Sequence, residues 1–138
     1  MKRILAISLI LLSLSISCKK DQSDNTALKA KLYGTWKVVY LKIFSGNFET
    51  TNDTTGVVAE WAGYYINKFE IINDGTFSLK DAGFSNAGSW NLDEKSNSIE
   101  FIAEGHPETT STFTFTLPQD SLYLKDSFNL IKCVRSSW

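Results

Sequence analysis

The chain has 138 residues, 43% of them hydrophobic and 21% charged, with a formal net charge of −1. That length suits one domain, and the balanced charge with no basic stripe argues against a nucleic-acid partner. Two cysteines and one histidine exclude a multi-disulfide framework and a two-histidine metal site.

The N-terminus opens with Lys2 and Arg3, followed by an apolar run from Ile4 to Ser17 that stops at Cys18. Two early positive charges, a short apolar stretch and small residues before a break are the parts of a secretory signal. The run is about 14 residues, short for a helix crossing roughly 30 Å of hydrocarbon. Leu14-Ser15-Ile16-Ser17-Cys18 resembles a bacterial lipobox. The resemblance implies cleavage after residue 17 and acylation of Cys18, in preference to an ordinary secreted protein or an uncleaved anchor. Several acyl chains make a stable membrane anchor where one does not. The resemblance also places Lys19, rather than the aspartate of inner-membrane retention signals, at the second mature position, which points to the outer membrane of a Gram-negative bacterium. With Cys18 acylated, Cys133 has no disulfide partner. It reads as a small buried apolar residue, with a reactive thiol as the alternative.

The sequence predicts a lipoprotein signal peptide at 1–17, a lipidated cysteine and flexible tether at 18–27, and a β-domain at 28–138. Residues 19–26 are polar and without periodicity. Leu28 and Leu32, at i and i+4, suit a helical turn that Gly34 ends. Strands are expected at 36–44, 64–72, 76–80, 89–92, 98–103, 112–117, 121–125 and 128–135. The stretch 45–63 is polar at its centre and reads as a long loop with a short turn near Trp61. Asn73-Asp74-Gly75 is a hairpin signal, because Asp-Gly supplies positive φ. Glu104-Gly105-His106-Pro107 and Pro118-Gln119-Asp120 read as turns. Short connections make neighbouring strands antiparallel. Such a meander manages its edges by closing into a barrel, with a two-layer sandwich as the competitor.

Gly34-Thr35-Trp36 after a helical turn resembles the Gly-x-Trp opening of lipocalins. The Asp74-Gly75 hairpin, a second Gly88-Ser89-Trp90 strand and Ser121-Leu122-Tyr123-Leu124 resemble the compact lipocalin-like domains of bacterial lipoproteins. The resemblance implies a small all-β, eight-stranded antiparallel up-and-down barrel. It also implies that Trp36 closes one end with Arg135 packed on it, a structural pair worth about 0.5–2 kcal/mol. Lys132, of opposite strand parity, is the rival cation.

Phe69, Phe77, Trp90, Phe101, Phe113, Phe115 and Phe128 read first as core, with pocket lining as the alternative. Trp61, Tyr64 and Tyr65 fall near one barrel mouth, where amphipathic rings suit a half-wet rim. With Phe69 they are the candidate ligand-binding residues, and the competing reading makes them a lid over the core. His106 lies in a polar turn with nothing to hold it as a catalytic base. No EF-hand, phosphate loop or dinucleotide fingerprint is present. The sequence therefore predicts a non-catalytic, lipid-anchored protein without cofactor or metal. Its partners are the membrane through Cys18 and a small apolar or amphipathic molecule. An envelope accessory or protein-interaction module with a side-chain-filled barrel is the alternative.

Overall fold

The computed structural model describes residues 22–52, 56, 58–79 and 84–137; Cys18 and the apolar run before it lie outside them. The first element is helix α1, Gln22–Leu32. It starts within the stretch predicted as tether and is longer than the expected turn. Extending a helix from an anchored turn is far easier than starting one, and Leu32, fully buried with Leu28 packed against the same core, is the anchor. The last carbonyls of a helix have no partner inside it, and here other elements supply the donors. Trp36 Nε1 donates to the Leu32 carbonyl at 2.8 Å. Arg135 donates through Nη1 to the Tyr33 carbonyl and through Nη2 to the Lys31 carbonyl.

Eleven strands follow among the described residues: β1 (Gly34–Ile43), β2 (Phe48–Thr51), β3 (Ala59–Trp61), β4 (Tyr64–Ile66), β5 (Lys68–Ile71), β6 (Thr76–Leu79), β7 (Phe84–Asp93), β8 (Ser98–Ala103), β9 (His106–Thr116), β10 (Ser121–Lys125) and β11 (Asn129–Arg135). Eight of them close into an antiparallel barrel in the order β1-β5-β6-β7-β8-β9-β10-β11, with β11 returning to β1. The fold is thus the all-β, up-and-down, lipocalin-like barrel expected, and the sandwich is excluded.

Alternation builds the walls. Ile99, Phe101 and Ala103 of β8, Phe113 and Phe115 of β9, Leu122 and Leu124 of β10, and Ile131 and Cys133 of β11 all point inward and are buried. Turn chemistry sets the register. Asp74 Oδ1 accepts from the Thr76 N–H at 2.9 Å and its hydroxyl at 2.6 Å, while Gly75 takes φ +90°. Gly88 is required for a different reason: a Cβ there would lie 1.9 Å from the Ile102 carbonyl oxygen.

Three expectations need correction. The stretch 45–63 is not one loop, because it contains β2 and β3. Strand β2 pairs with the far half of β1, Tyr40–Ile43, where β5 no longer reaches. Its residues are mostly exposed, so it carries no apolar alternation. The expected strand 64–72 is two strands: Tyr64 pairs back to Trp61 in a separate β3–β4 hairpin, and only Lys68–Ile71 enters the barrel. The hairpin turns on Ala62 and Gly63, both at positive φ, as a two-residue loop of matching twist demands. Finally, Phe128 is not core but 65% exposed. It sits in the β10–β11 turn, where Asp126 Oδ1 accepts from the Phe128 and Asn129 N–H groups.

Candidate functional site

The end of the barrel away from α1 holds the far ends of β1 and β11 and the beginning of β9. Strand β10 is short and meets β9 only across Thr114–Thr116. The upper part of β9 therefore stands without β10 beside it. It is also irregular: Ile102 faces Thr110 while Ala103 faces His106, so Pro107, Glu108 and Thr109 are extra residues on β9. Such bulges re-aim side chains and bend a strand. The expected turn at 104–107 is accordingly shorter, since His106 and Pro107 already belong to β9.

Between this bulge, the β3–β4 hairpin and the β1–β11 wall lies a cleft of about 530 Å³. Leu41, Ile43 and Ile131 line it from the β1–β11 wall, together with Asn129, the register partner of Ile43, while Thr109, Thr110 and Ser111 line it from β9. Glu60 and Glu108 set two carboxylates at its rim, both on exposed residues. The Glu108 carboxyl is held below the usual range by its own backbone N–H and by His106, whose Nδ1 lies 3.1 Å away. The cleft thus offers an apolar wall ending in one amide, together with hydroxyl groups from β9. That combination suits a molecule with one oily and one hydrogen-bonding face.

The hairpin supplies the floor. Trp61 is only 3% exposed, and its indole meets Phe69 at 5.1 Å, Phe113 at 5.7 Å and Phe101 at 5.8 Å between ring centroids. The polar tip expected at a wet rim is therefore buried among three rings from three strands. Its Nε1 has no hydrogen-bond acceptor among the described residues, which costs about 1–3 kcal/mol for a buried donor. Trp36 and Trp90 differ: their Nε1 groups donate to the carbonyls of Leu32 at 2.8 Å and Ile72 at 3.0 Å.

The four residues predicted to bind ligand do not converge. Trp61 alone lines the cleft. Phe69 is wholly buried beneath it, Tyr64 packs edge-on against Phe77 at 6.4 Å, and Tyr65 is 75% exposed. The alternation of β9 held a signal for the rest. Thr109 and Ser111 share the parity of Phe113 and Phe115 but carry hydroxyls, marking where the inner wall turns polar. Leu41, Ile43 and Ile131 carry no comparable mark, since their sequence pattern is that of core.

At the other end, the Arg135 guanidinium carbon lies 4.0 Å from the centre of the Trp36 ring. Lys132 instead places Nζ 5.8 Å from the Tyr123 ring. Among the described residues, no group of three or more His, Cys, Asp or Glu side chains could hold a metal ion. Cys133 is fully buried, and burial pushes its thiol pKa well up.

Fold and cleft together define an eight-stranded antiparallel barrel with a two-faced cleft at one mouth. Comparison with known proteins finds no family model, no curated protein and no solved structure that matches this chain.

Proposed function

We propose that this is a lipid-anchored, extracytoplasmic lipocalin-like protein that binds a small apolar or amphipathic molecule without transforming it. One observation carries the binding reading: at the barrel mouth, Leu41, Ile43 and Ile131 of the β1–β11 wall, with Asn129 beside Ile43, share a cleft of about 530 Å³ with the hydroxyl-bearing Thr109 and Ser111 of β9. The anchoring reading rests on the lipobox-like Leu14-Ser15-Ile16-Ser17-Cys18.

The binding test uses the full chain carrying Cys18→Ser, purified without detergent and incubated with a broad lipid extract. Native mass spectrometry is expected to show a discrete added mass that denaturation removes and that Ile43→Glu abolishes. A bare protein mass throughout would overturn the binding reading. For the anchor, metabolic labelling with a radioactive fatty acid is expected to mark the parent chain and not Cys18→Ala. Equal labelling of both would refute acylation at that residue.

A second reading has its own support. Trp61 fills the barrel interior with side chain, as an accessory or protein-interaction module with a solid barrel requires. Pull-down of a discrete envelope protein by the parent chain, together with the bare mass, would favour it.

A further inference from the structure

We propose that Trp61 is a removable stopper: the space its indole occupies is a deeper subsite for a flat apolar group of the ligand, opened when the β3–β4 hairpin lifts. The proposal rests on the cleft-binding reading, because the cleft is the route by which a ligand reaches Trp61.

Three observations converge on it. The first is hydrogen bonding. Trp36 and Trp90, which belong to the barrel, each have the indole N–H bonded to a backbone carbonyl, whereas Trp61 has a buried N–H with no acceptor among the described residues. A buried polar group left unsatisfied calls for a specific explanation. A ring that must leave its seat is better off without a bond holding it there.

The second is connectivity. Strands β3 and β4 form their own two-stranded sheet and pair with no barrel strand. A two-stranded hairpin is marginal by itself, so this one is held in place by its side chains, with Ala59, Trp61, Ala62 and Ile66 buried against the barrel core. At its turn, the Ala62 N–H donates to Ser111 Oγ at 2.8 Å, a neutral bond that a polar ligand in the cleft can replace.

The third is position. Trp61 lines the cleft on one side and meets Phe69, Phe101 and Phe113 on the other. It is therefore the partition between the open cleft and the aromatic interior. Once it moves away, Phe69 and Phe113, which meet the indole edge-to-face, and Phe101, which is tilted against it, would receive a flat apolar group of similar size. The fitting ligand class is an amphiphile with a ring at its apolar end. Its polar end is neutral or cationic, since Glu60 and Glu108 stand at the rim.

A site that is open only part of the time shows an affinity reduced by the open fraction. The test measures binding of N-phenyl-1-naphthylamine, a flat neutral fluorophore, to the full chain with Cys18→Ser. Trp61→Ala removes the stopper and is expected to tighten binding by about tenfold or more. A second variant keeps the indole: Ala62→Cys with Ser111→Cys puts one thiol on each of the two residues that meet where the hairpin touches β9, the Ala62 backbone N–H lying 2.8 Å from Ser111 Oγ. Its oxidised form is expected to bind about tenfold more weakly than its reduced form. Equal binding by oxidised and reduced forms, with no gain in Trp61→Ala, would overturn the stopper. If binding were then still lost in Ile43→Glu, the cleft reading would stand without it. Absence of binding in every variant would overturn both.

Discussion

Arg135 sits over the ring of Trp36 and at the same time caps the helix that precedes it. The two are register partners across the β1–β11 seam, with the guanidinium carbon 4.0 Å from the ring centre. The same guanidinium donates to the carbonyls of Lys31 and Tyr33. One side chain from the last strand thus seals the barrel floor and terminates α1. Its charge also sits at the helix C-terminus, where the dipole favours a cation. Burial lowers the Arg135 pKa somewhat, with Asp120 opposing.

Arg135→Ala is therefore expected to destabilise the protein by about 1–3 kcal/mol, the range for losing charge-assisted bonds. Arg135→Lys is expected to recover less than half, because an ammonium lacks the planar fork that serves two carbonyls and one ring. Urea midpoints of the two variants against the parent measure this.

The tryptophans make a matched comparison. Trp36→Phe leaves the Leu32 carbonyl without its donor, and a loss of about 2–3 kcal/mol is expected. Trp61→Phe removes an N–H that has no acceptor, so the relief offsets part of the lost area. It is expected to fall within about 1 kcal/mol of the parent. Chemical denaturation of both variants gives the answer, and equal losses would contradict the difference in bonding.

Gly88→Ala should be among the most damaging single changes in the barrel. The added carbon would lie 1.9 Å from the Ile102 carbonyl oxygen and 2.9 Å from Phe77, neither of which has room to withdraw. A loss above about 3 kcal/mol, or failure to fold, is expected from such overpacking at a strained backbone position. Gly75→Ala has φ +90° but nothing within 4 Å, so about 1–2 kcal/mol of backbone strain is expected. Thermal melts of the two separate crowding from strain.

Acid should weaken the fold through its turns. Bonds from Thr76 hold Asp74, and bonds from Ser96 and Lys95 hold Asp93, below the usual aspartate value of 3.8. The unfolded chain then binds protons that the folded chain refuses, so the stabilisation is present above that value and lost as pH falls through the lower folded values. Asp74→Asn is expected to flatten this part of the profile, measured as urea midpoint against pH from 7 down to 2.

The barrel walls are readable over 89–103 and 112–135 because their period-two pattern there coincides with burial on one face. The second half of β9 and the pairs Leu122/Leu124 and Ile131/Cys133 illustrate this. Strand β2 was not readable, since Phe48-Glu49-Thr50-Thr51 lies against β1 with little of it buried. It is held by its ladder and by contacts such as Tyr40 hydroxyl to Glu49 at 2.9 Å. From the sequence Trp61 reads as a rim residue, because an aromatic beside a turn carries no record of which way the hairpin folds. The cleft depends on a bulge in β9 and on the shortness of β10. Both are matters of register between distant strands, which no local pattern encodes.

The β1–β11 seam has a consequence for how the chain is made. Trp36 to Ile43 pairs with Arg135 to Asn129, so the first barrel strand waits for the last. Contacts between distant segments form slowly, because the intervening loop must close before they are rewarded. Until its final strand is in place, the barrel is an open sheet with two unpaired edges. Closure belongs to the moment after its final residues emerge. Loss of those few C-terminal residues would leave β1 and β10 as permanent open edges, the state most prone to pairing with other chains.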